Sequence, residues 1–151
     1  MKLDGRTGHP EYYYFTDDNK YSWRIDSESE DFTDARIIES YGTWEIKDGN
    51  LIINELVQKY RDGGEFEIPS KEEQEENGYA NLPYFVNSTL VTKKVNNIYT
   101  KELIFVKTVE YENGKYSNMY LLDNKVFYTN AGVDNDIESN KKQINDMLSQ
   151  Q

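Results

Sequence analysis

The sequence predicts a mostly β fold: an antiparallel up-and-down meander that closes into a barrel or a strongly curved sheet, with one C-terminal helix. Three observations predict it. Apolar and polar residues alternate at the period of two that strands require. Residues 136–149 instead place apolar side chains at helical spacing. Four two-residue turn signals separate the apolar runs, at Asp48-Gly49, Asn96-Asn97, Asn113-Gly114 and Asp123-Asn124.

The N-terminal part predicts two strands, over residues 11–15 and 21–25, after a loose lead-in over residues 1–10. The polar stretch 16–20 has the composition of a turn and joins the two strands. In the second strand three apolar side chains alternate with polar ones, which indicates a half-buried strand. Acidic, turn-like residues follow over 26–34.

The hairpin at Asp48-Gly49 predicts its own register. A strand over residues 36–47, broken or bulged at Gly42, pairs through this turn with a strand over residues 51–60. Because side chains alternate across a strand, Trp44, Ile46, Leu51 and Ile53 then share one apolar face, and the other face, which includes Ile52, is mostly polar. The predicted pairs are Lys47 with Asn50, Ile46 with Leu51, and Trp44 with Ile53.

The middle of the chain contains a long irregular stretch. Asp62-Gly63-Gly64 predicts a turn, and residues 65–68 a short edge strand. Residues 69–83 then form a long acidic loop that includes four glutamates between positions 71 and 77. Loops of this length are often functional or disordered. We expect a solvated loop, with a binding lid as the alternative.

The remaining strands, over residues 84–95, 98–111, 115–122 and 125–129, complete the meander. The turn at Asp123-Asn124 pairs Leu121 with Val126 and Tyr120 with Phe127. The turn at Asn113-Gly114 pairs Tyr111 with Tyr116 and Val109 with Asn118, and we expect a bulge in that hairpin.

Residues 103–106 are apolar on both faces, which predicts a central strand or one covered on its second side. The C-terminal helix is the expected cover. Asn135 and Glu138 resemble a capping box at its start. We expect the helix to pack against the sheet or to plug one end of it, through a stripe formed by Ile137, Ile144, Met147 and Leu148.

Length and composition exclude several classes of function. A chain of 151 residues predicts one domain, 1–151. The net charge of −11 opposes non-specific binding of nucleic acid and docking on anionic membranes, and it favours a dispersed monomer. The absence of cysteine excludes disulfides, thiolate metal sites and cysteine nucleophiles. No run reaches the ~20 apolar residues of a membrane-spanning helix, so we expect no membrane insertion.

No motif in the sequence predicts a catalytic residue, a metal site or a cofactor. The single histidine, His9, lies between Gly8 and Pro10 without a nucleophile nearby. The acidic groups do not match the spacing of a calcium-binding loop, and neither a phosphate-binding loop nor a nucleophile elbow occurs. Three glutamates lie on predicted strands, Glu45, Glu102 and Glu110, of which Glu45 falls on the solvent side.

One segment of the chain has a family resemblance. Residues 15–23 read FTDDNKYSW and residues 42–53 read GTWEIKDGNLII. Aromatic strands joined by an acidic turn, followed by a Gly-x-aromatic strand, a turn with glycine and an aliphatic strand, resemble small bacterial lipocalin-like (calycin-type) domains. The resemblance covers residues 11–55. Such domains usually open with a Gly-x-Trp strand, and none precedes Glu11 here.

The resemblance implies a non-enzymatic binding or accessory domain of a bacterial exported or envelope protein, and it transfers no catalytic residue. We expect an extracellular or cell-envelope location if a leader was removed upstream of Met1, and a cytoplasmic one otherwise. The partner would be a small apolar or aromatic molecule, or a protein. The residues expected to line a ligand pocket in the barrel are Trp23, Trp44, Tyr14, Tyr84, Phe105, Tyr120 and Phe127.

Two other functions stay open from the sequence. In the first, the aromatic residues fill the interior, as they do in small barrels, and the domain is a structural or protein-interaction module. In the second, buried carboxylates or tyrosines make the domain a hydrolase. A cavity would favour the binding domain, and an exposed aromatic patch on a filled barrel would favour the interaction module.

Overall fold

A computed structural model describes residues 1–5, 11–25, 36–67, 70–72, 84–110, 114, 116–129 and 137–149. This part of the chain contains ten strands and a C-terminal helix of 13 residues, and Lys71 and Glu72 are also helical. The strands and the C-terminal helix are β1 (Lys2–Asp4), β2 (Glu11–Phe15), β3 (Lys20–Ile25), β4 (Ile37–Lys47), β5 (Asn50–Asp62), β6 (Glu65–Glu67), β7 (Tyr84–Val86), β8 (Thr89–Glu110), β9 (Tyr116–Leu122), β10 (Lys125–Thr129) and α1 (Ile137–Ser149).

Eight of these strands form one closed antiparallel ring in the order β1-β10-β9-β8-β5-β4-β3-β2. β6 and β7, which lie between β5 and β8 in the sequence, form a separate two-stranded sheet. The predicted fold class is therefore confirmed: the protein is mostly β, its strands follow an antiparallel meander, and one helix ends the described chain.

The strand that closes the ring lies where we predicted a loose lead-in. β1 pairs on one side with β2 and on the other with β10, through Leu3 in both cases. Leu3 is completely buried. The prediction for residues 1–10 was thus wrong over β1, because three residues with one inward apolar side chain show no measurable alternation. His9 lies outside the described residues.

Two of the four turn signals are confirmed in detail. Asp48 and Gly49 have φ angles of 54° and 81°, and Asp123 and Asn124 have 48° and 67°, the left-handed values that tight hairpin turns require. The pairs predicted across both turns all occur in the structure. Ile46 nevertheless is exposed, because it lies at the turn end of its hairpin, beyond the core.

The other two turn signals were less accurate: the first falls inside a strand, and the second gives a register that differs by one residue from the structure. Asn96 and Asn97 lie inside β8, which runs without interruption through both, and they adjoin a shift in the pairing with β5. The break comes earlier, where Asn87 takes a φ of 60° between β7 and β8. In the β8–β9 hairpin Val109 pairs with Ser117, one residue from the predicted partner, and the expected bulge falls between Phe105 and Lys107.

The helix packs on the outer face of the barrel, over β3, β4 and β5. Ile144 is 1% exposed and belongs to a cluster with Tyr14, Tyr41 and Val57, flanked by Met147 and Leu148. Gln143 of the helix forms two hydrogen bonds with the barrel: Arg24 donates to its Oε1 at 2.8 Å, and its amide donates to the Tyr41 hydroxyl at 3.3 Å. The prediction that α1 packs against the sheet is confirmed.

We expected the helix to cover residues 103–106, but it does not. Ile104, Phe105 and Val106 are 42%, 54% and 42% exposed. The reason lies in the pairing of β8, whose residues 89–102 pair with β5 and whose later residues pair with β9. The later half therefore extends past the end of β5, the neighbouring strand that carries α1.

A β-bulge at Leu56 changes the side to which β5 presents its residues. Glu55 pairs with Gly42 and Val57 pairs with Tyr41, so Leu56 has no partner on β4. Across this single extra residue the alternation reverses. Leu51, Ile53 and Glu55 face the interior, whereas Leu56 and Val57 both lie under the helix.

Gly42 makes the bulge sterically possible. A Cβ atom at this position would lie 1.9 Å from the carbonyl oxygen of Asn54 and 2.9 Å from Cε1 of Tyr21. Tyr21 is the residue that pairs with Gly42 on β3. The backbone of β5 and an aromatic ring thus occupy the space that any other side chain would need.

We predict that Gly42→Ala lowers the free energy of unfolding by about 3 kcal/mol, because the methyl group cannot be accommodated without moving backbone. Urea unfolding followed by circular dichroism measures it. Gly114→Ala is the matched control: nothing lies within 4 Å of its Cβ, so only the strain of its φ of 75° remains, about 1 kcal/mol. Equal losses in the two variants would contradict this role of Gly42.

Candidate functional site

A cavity of about 200 Å³ opens into the barrel beside the bulge. Side chains from β2, β3, β4, β5 and β8 line it, so five of the eight strands of the ring contribute. The lining combines four aromatic rings, two aliphatic side chains, a hydroxyl, a carboxylate and an ammonium group. The residues are Tyr13, Tyr21, Trp23, Ile37, Ser40, Ile53, Glu55, Tyr99 and Lys101.

Glu55 is the most unusual residue of this cavity, because its side chain is charged and only 6% exposed. Three neutral groups donate hydrogen bonds to its carboxylate. Ser40 Oγ donates to Oε2 at 2.7 Å, Gln58 Nε2 donates to Oε1 at 2.7 Å, and Asn97 Nδ2 donates to the same Oε1 at 2.8 Å. Tyr21 extends the network through its hydroxyl, 2.7 Å from Ser40 Oγ.

The local chain geometry explains how these groups meet. Gln58 reaches Glu55 because the bulge at Leu56 turns both side chains inward, three residues apart on one strand. Ser40 pairs with Gln58 across β4 and β5, and Asn97 pairs with Glu55 across β5 and β8. The polar network is therefore a direct product of the bulge and of the two registers beside it.

The network suits an ionised carboxylate, which only accepts hydrogen bonds. Buried charges in proteins are usually paired with an opposite charge. The ion pairs that the described residues form do not include Glu55; they join other residues, Lys101 to Asp123 among them. Its charge is therefore stabilised by dipoles alone within the described part of the protein.

The negative charge of Glu55 reaches the aromatic walls. Burial, and then the charge and hydrogen bonding of Glu55, raise the pKa of Tyr99. Burial also raises the pKa of Tyr13 and of Tyr21, and the Glu55 charge raises both pKa values further. For Tyr13 the charges of Glu11 and Asp123 have larger effects than that of Glu55. In Tyr21 the hydrogen bond with Ser40 acts in the opposite direction. All three hydroxyl groups are thus kept protonated beyond their usual range.

Lys101 and Tyr99 form the more exposed side of the cavity. The Lys101 ammonium lies 3.4 Å from Asp123 Oδ2 and 5.6 Å from the centre of the Tyr99 ring. Tyr99 is 42% exposed although it pairs with the buried Ile53. The first half of β8 pairs with β5 and not with β9, and this leaves the wall open beside these two residues.

Of the seven predicted pocket residues, the structure brings only Trp23 to the cavity. Phe127 is buried in the interior cluster, and Trp44 and Tyr120 pack against it. Tyr14 faces outward under the helix, and Phe105 is exposed with its ring edge against Tyr120. Tyr84 lies on β7 in the separate sheet, and its side chain lies outside the described part.

The sequence reasoning missed Glu55, although a signal was present. Counting from the turn at Asp48-Gly49 by steps of two places Glu55 on the face of Leu51 and Ile53. It is thus the first charged residue on an otherwise apolar face. The three glutamates weighed instead, Glu45, Glu102 and Glu110, are all exposed.

Within the described residues, no group of three or more His, Asp or Glu side chains is arranged to hold a metal ion. None of the helical segments in that part of the chain combines the length and apolarity needed to cross a bilayer. Comparisons of the chain with protein-family models, with curated proteins and with solved structures give no match. The lipocalin-like resemblance therefore stays a prediction.

The buried tyrosines predict a loss of stability in alkali. The pKa values of Tyr13, Tyr21 and Tyr41 are raised above the ordinary 10.0, mainly by burial. Above about pH 10 the unfolded chain releases protons that the native state retains, so the free energy of unfolding falls as pH rises; below about pH 10 this stabilisation is fully present.

Urea unfolding between about pH 8 and about pH 11 measures this dependence. Tyr21→Phe removes one of the three groups, so its free energy of unfolding should fall less steeply with pH than that of the unmodified protein. The variant also loses the hydrogen bond to Ser40, which lowers its free energy of unfolding at every pH. The measurement at about pH 8 gives this pH-independent loss separately. An unchanged slope in Tyr21→Phe would contradict the assignment.

Proposed function

We propose that this protein is a non-enzymatic binding domain that holds one small molecule in the Glu55 cavity. The observation that supports it best is the combination of an open cavity, aromatic walls and a buried carboxylate held by three donors. Ligand sites are typically concave and mostly apolar, with a few fixed polar groups. A barrel that served only as a scaffold would gain nothing from a buried charge at this point.

The size of the cavity limits the ligand. Its volume of about 200 Å³ is below the roughly 300–1,000 Å³ of drug-sized sites. An engineered protein cavity of roughly 150 Å³ accommodates benzene. The ligand is therefore a single-ring or similarly small molecule, and the rest of the interior is filled by the apolar cluster around Phe127 and Tyr21.

The lining argues for binding without catalysis. Hydrolysis of a glycosidic bond normally uses two carboxylates that flank the reacting bond. Glu55 is the one carboxylate among the residues that line this cavity. The aromatic rings and the amide donors around it position and enclose a ligand, but they supply no activated nucleophile. An exported or envelope location, as the lipocalin-like resemblance implies, belongs to the same proposal.

A second candidate function is a protein-interaction module. The outer part of β8 favours it, because Ile98 is 71% exposed and residues 104–106 add three further exposed apolar side chains. Large exposed apolar side chains of this kind can mark a contact with another macromolecule. Both functions are compatible with one domain. Ile98 lies between Asn97 and Tyr99, so strand alternation turns it to the face opposite the cavity, and residues 104–106 lie further along β8.

Blocking the cavity tests the proposal. Ile37 lines the cavity and is 39% exposed, so Ile37→Phe adds bulk at its mouth with little strain. Benzyl alcohol is a suitable probe because it has one ring and one polar group. We expect it to shift the backbone amide resonances of Asn97 and Tyr99 in two-dimensional NMR, and we expect Ile37→Phe to weaken its binding about tenfold or more.

Ile104→Phe is the matched control. It makes the same substitution at a similarly exposed isoleucine that does not line the cavity. The proposal predicts unchanged binding of benzyl alcohol in this variant. The proposal is contradicted if both variants bind alike, or if benzyl alcohol and its charged analogues all leave the resonances of the cavity unchanged.

A further inference from the structure

We infer that the ligand of this cavity is a small organic cation, an ammonium group on a compact apolar body, with Glu55 as its counter-ion. The inference rests on the proposed function and adds the chemical class of the ligand. Three features of the described residues support it: the polar floor, the aromatic walls and Lys101 at the mouth, whose ammonium group is paired with Asp123 and not with Glu55.

The floor of the cavity has the negative charge that an ammonium group needs. An ionised carboxylate offers about four lone-pair sites. Ser40, Gln58 and Asn97 donate to three of them, and the Tyr99 hydroxyl also hydrogen-bonds to this carboxylate. All of these donors are neutral, so they leave the full negative charge of Glu55 in the cavity. A cation would complete the pairing that buried carboxylates normally have.

The walls favour a cation for an independent reason. Four of the nine lining residues are aromatic: Tyr13, Tyr21, Trp23 and Tyr99. The faces of aromatic rings carry partial negative charge and attract ammonium groups, most strongly where water is excluded, and aromatic pockets recognise quaternary ammonium ligands in this way. The protein already shows this attraction at the mouth, where the Lys101 ammonium lies over the Tyr99 ring.

Other ligand classes fit less well. An anion would meet the charge of Glu55 at the end of a partly enclosed site, where opposing charges are weakly screened. A neutral ligand would displace water from the carboxylate without replacing its charge pairing, which is costly in a buried site. Only a cation gains from both the floor and the walls.

Lys101 is the one cation among the lining residues, and its position makes it a competitor. Asp123 holds its ammonium group at 3.4 Å, and Lys101 does not form an ion pair with Glu55. Its positive charge remains close enough to the mouth to repel a second ammonium group. Removing that charge should therefore strengthen the binding of a cation, whereas it would weaken the binding of an anion.

The experiment compares three probes of the same shape by isothermal titration calorimetry at about pH 7: benzylammonium, benzyl alcohol and benzoate. A hydrogen bond to a charged partner is worth about tenfold or more in affinity. We therefore expect benzylammonium to bind the unmodified protein at least about tenfold more tightly than benzyl alcohol, and benzoate to bind least.

Two variants then act in opposite directions. Glu55→Gln keeps the shape of the side chain and should bring the affinity for benzylammonium to within about twofold of that for benzyl alcohol. Lys101→Gln should raise the affinity for benzylammonium about threefold by removing a like charge near the mouth. Glu102→Gln is the matched control, because it removes one negative charge from an exposed neighbour on β8 and should change neither affinity.

The outcomes separate this inference from the proposed function. If benzyl alcohol binds as tightly as benzylammonium and Ile37→Phe weakens both, the cavity is a binding site and the inference of a cation is wrong. It is equally wrong if benzoate binds best, or if Lys101→Gln weakens benzylammonium. If none of the three probes binds, the proposed function fails together with it. The comparison of probes on the unmodified protein holds even where Glu55→Gln does not fold.

Discussion

The β-bulge at Leu56 is the constraint on which most of the structure depends. One extra residue in β5 sends Glu55 and Gln58 into the barrel and Leu56 and Val57 to its outer face. The inward pair forms the polar floor of the cavity, and the outward pair forms the seat of the helix. A regular strand would turn Val57 inward and Gln58 outward, and it would break up both arrangements together. The bulge requires glycine at position 42, because backbone and the Tyr21 ring occupy the space that a side chain would need.

The barrel wall is therefore used on both faces along β3, β4 and β5. Inside, an apolar cluster that includes Leu3 and Phe127 fills the end beyond the cavity. Outside, α1 covers Tyr41 and Val57, which would otherwise expose apolar surface to water. The division of β8 between β5 and β9 gives each half of this strand only one neighbouring strand within the described residues. β8 contributes Tyr99 and Lys101 to the cavity and carries the exposed residues 104–106, so the strand with incomplete pairing is also the one with candidate contacts.

The sequence was sufficient to predict what depends on local geometry. The turns at Asp48-Gly49 and Asp123-Asn124 have left-handed φ angles, which asparagine, aspartate and glycine accept, and the registers followed from them. A turn was wrongly predicted at Asn96-Asn97 because asparagine also tolerates the irregular backbone beside a bulge. Pairing with the neighbouring strand, and not the dipeptide itself, determines the backbone conformation there. β1 escaped notice because its pairing is set by partners 10 and more than 120 residues away. The cavity depends on such long-range pairing, and the candidate residues were therefore chosen by size and aromaticity. Glu55 could be placed on the inner face by counting from the turn at Asp48-Gly49, whereas its partner Gln58 lies beyond the bulge.

The most direct test of the bulge is the set of nuclear Overhauser contacts of the Val57 methyl groups in solution. If the bulge at Leu56 reverses the alternation of β5, these methyl groups should give contacts to Ile144 of the helix, with which Val57 shares a buried cluster. The side-chain amide of Gln58 should in turn give contacts to Asn97, because both donate to the same oxygen of Glu55. Contacts from Val57 to Ile53 and Phe127 in the barrel interior, with Gln58 facing solvent, would show a regular strand and would contradict the account.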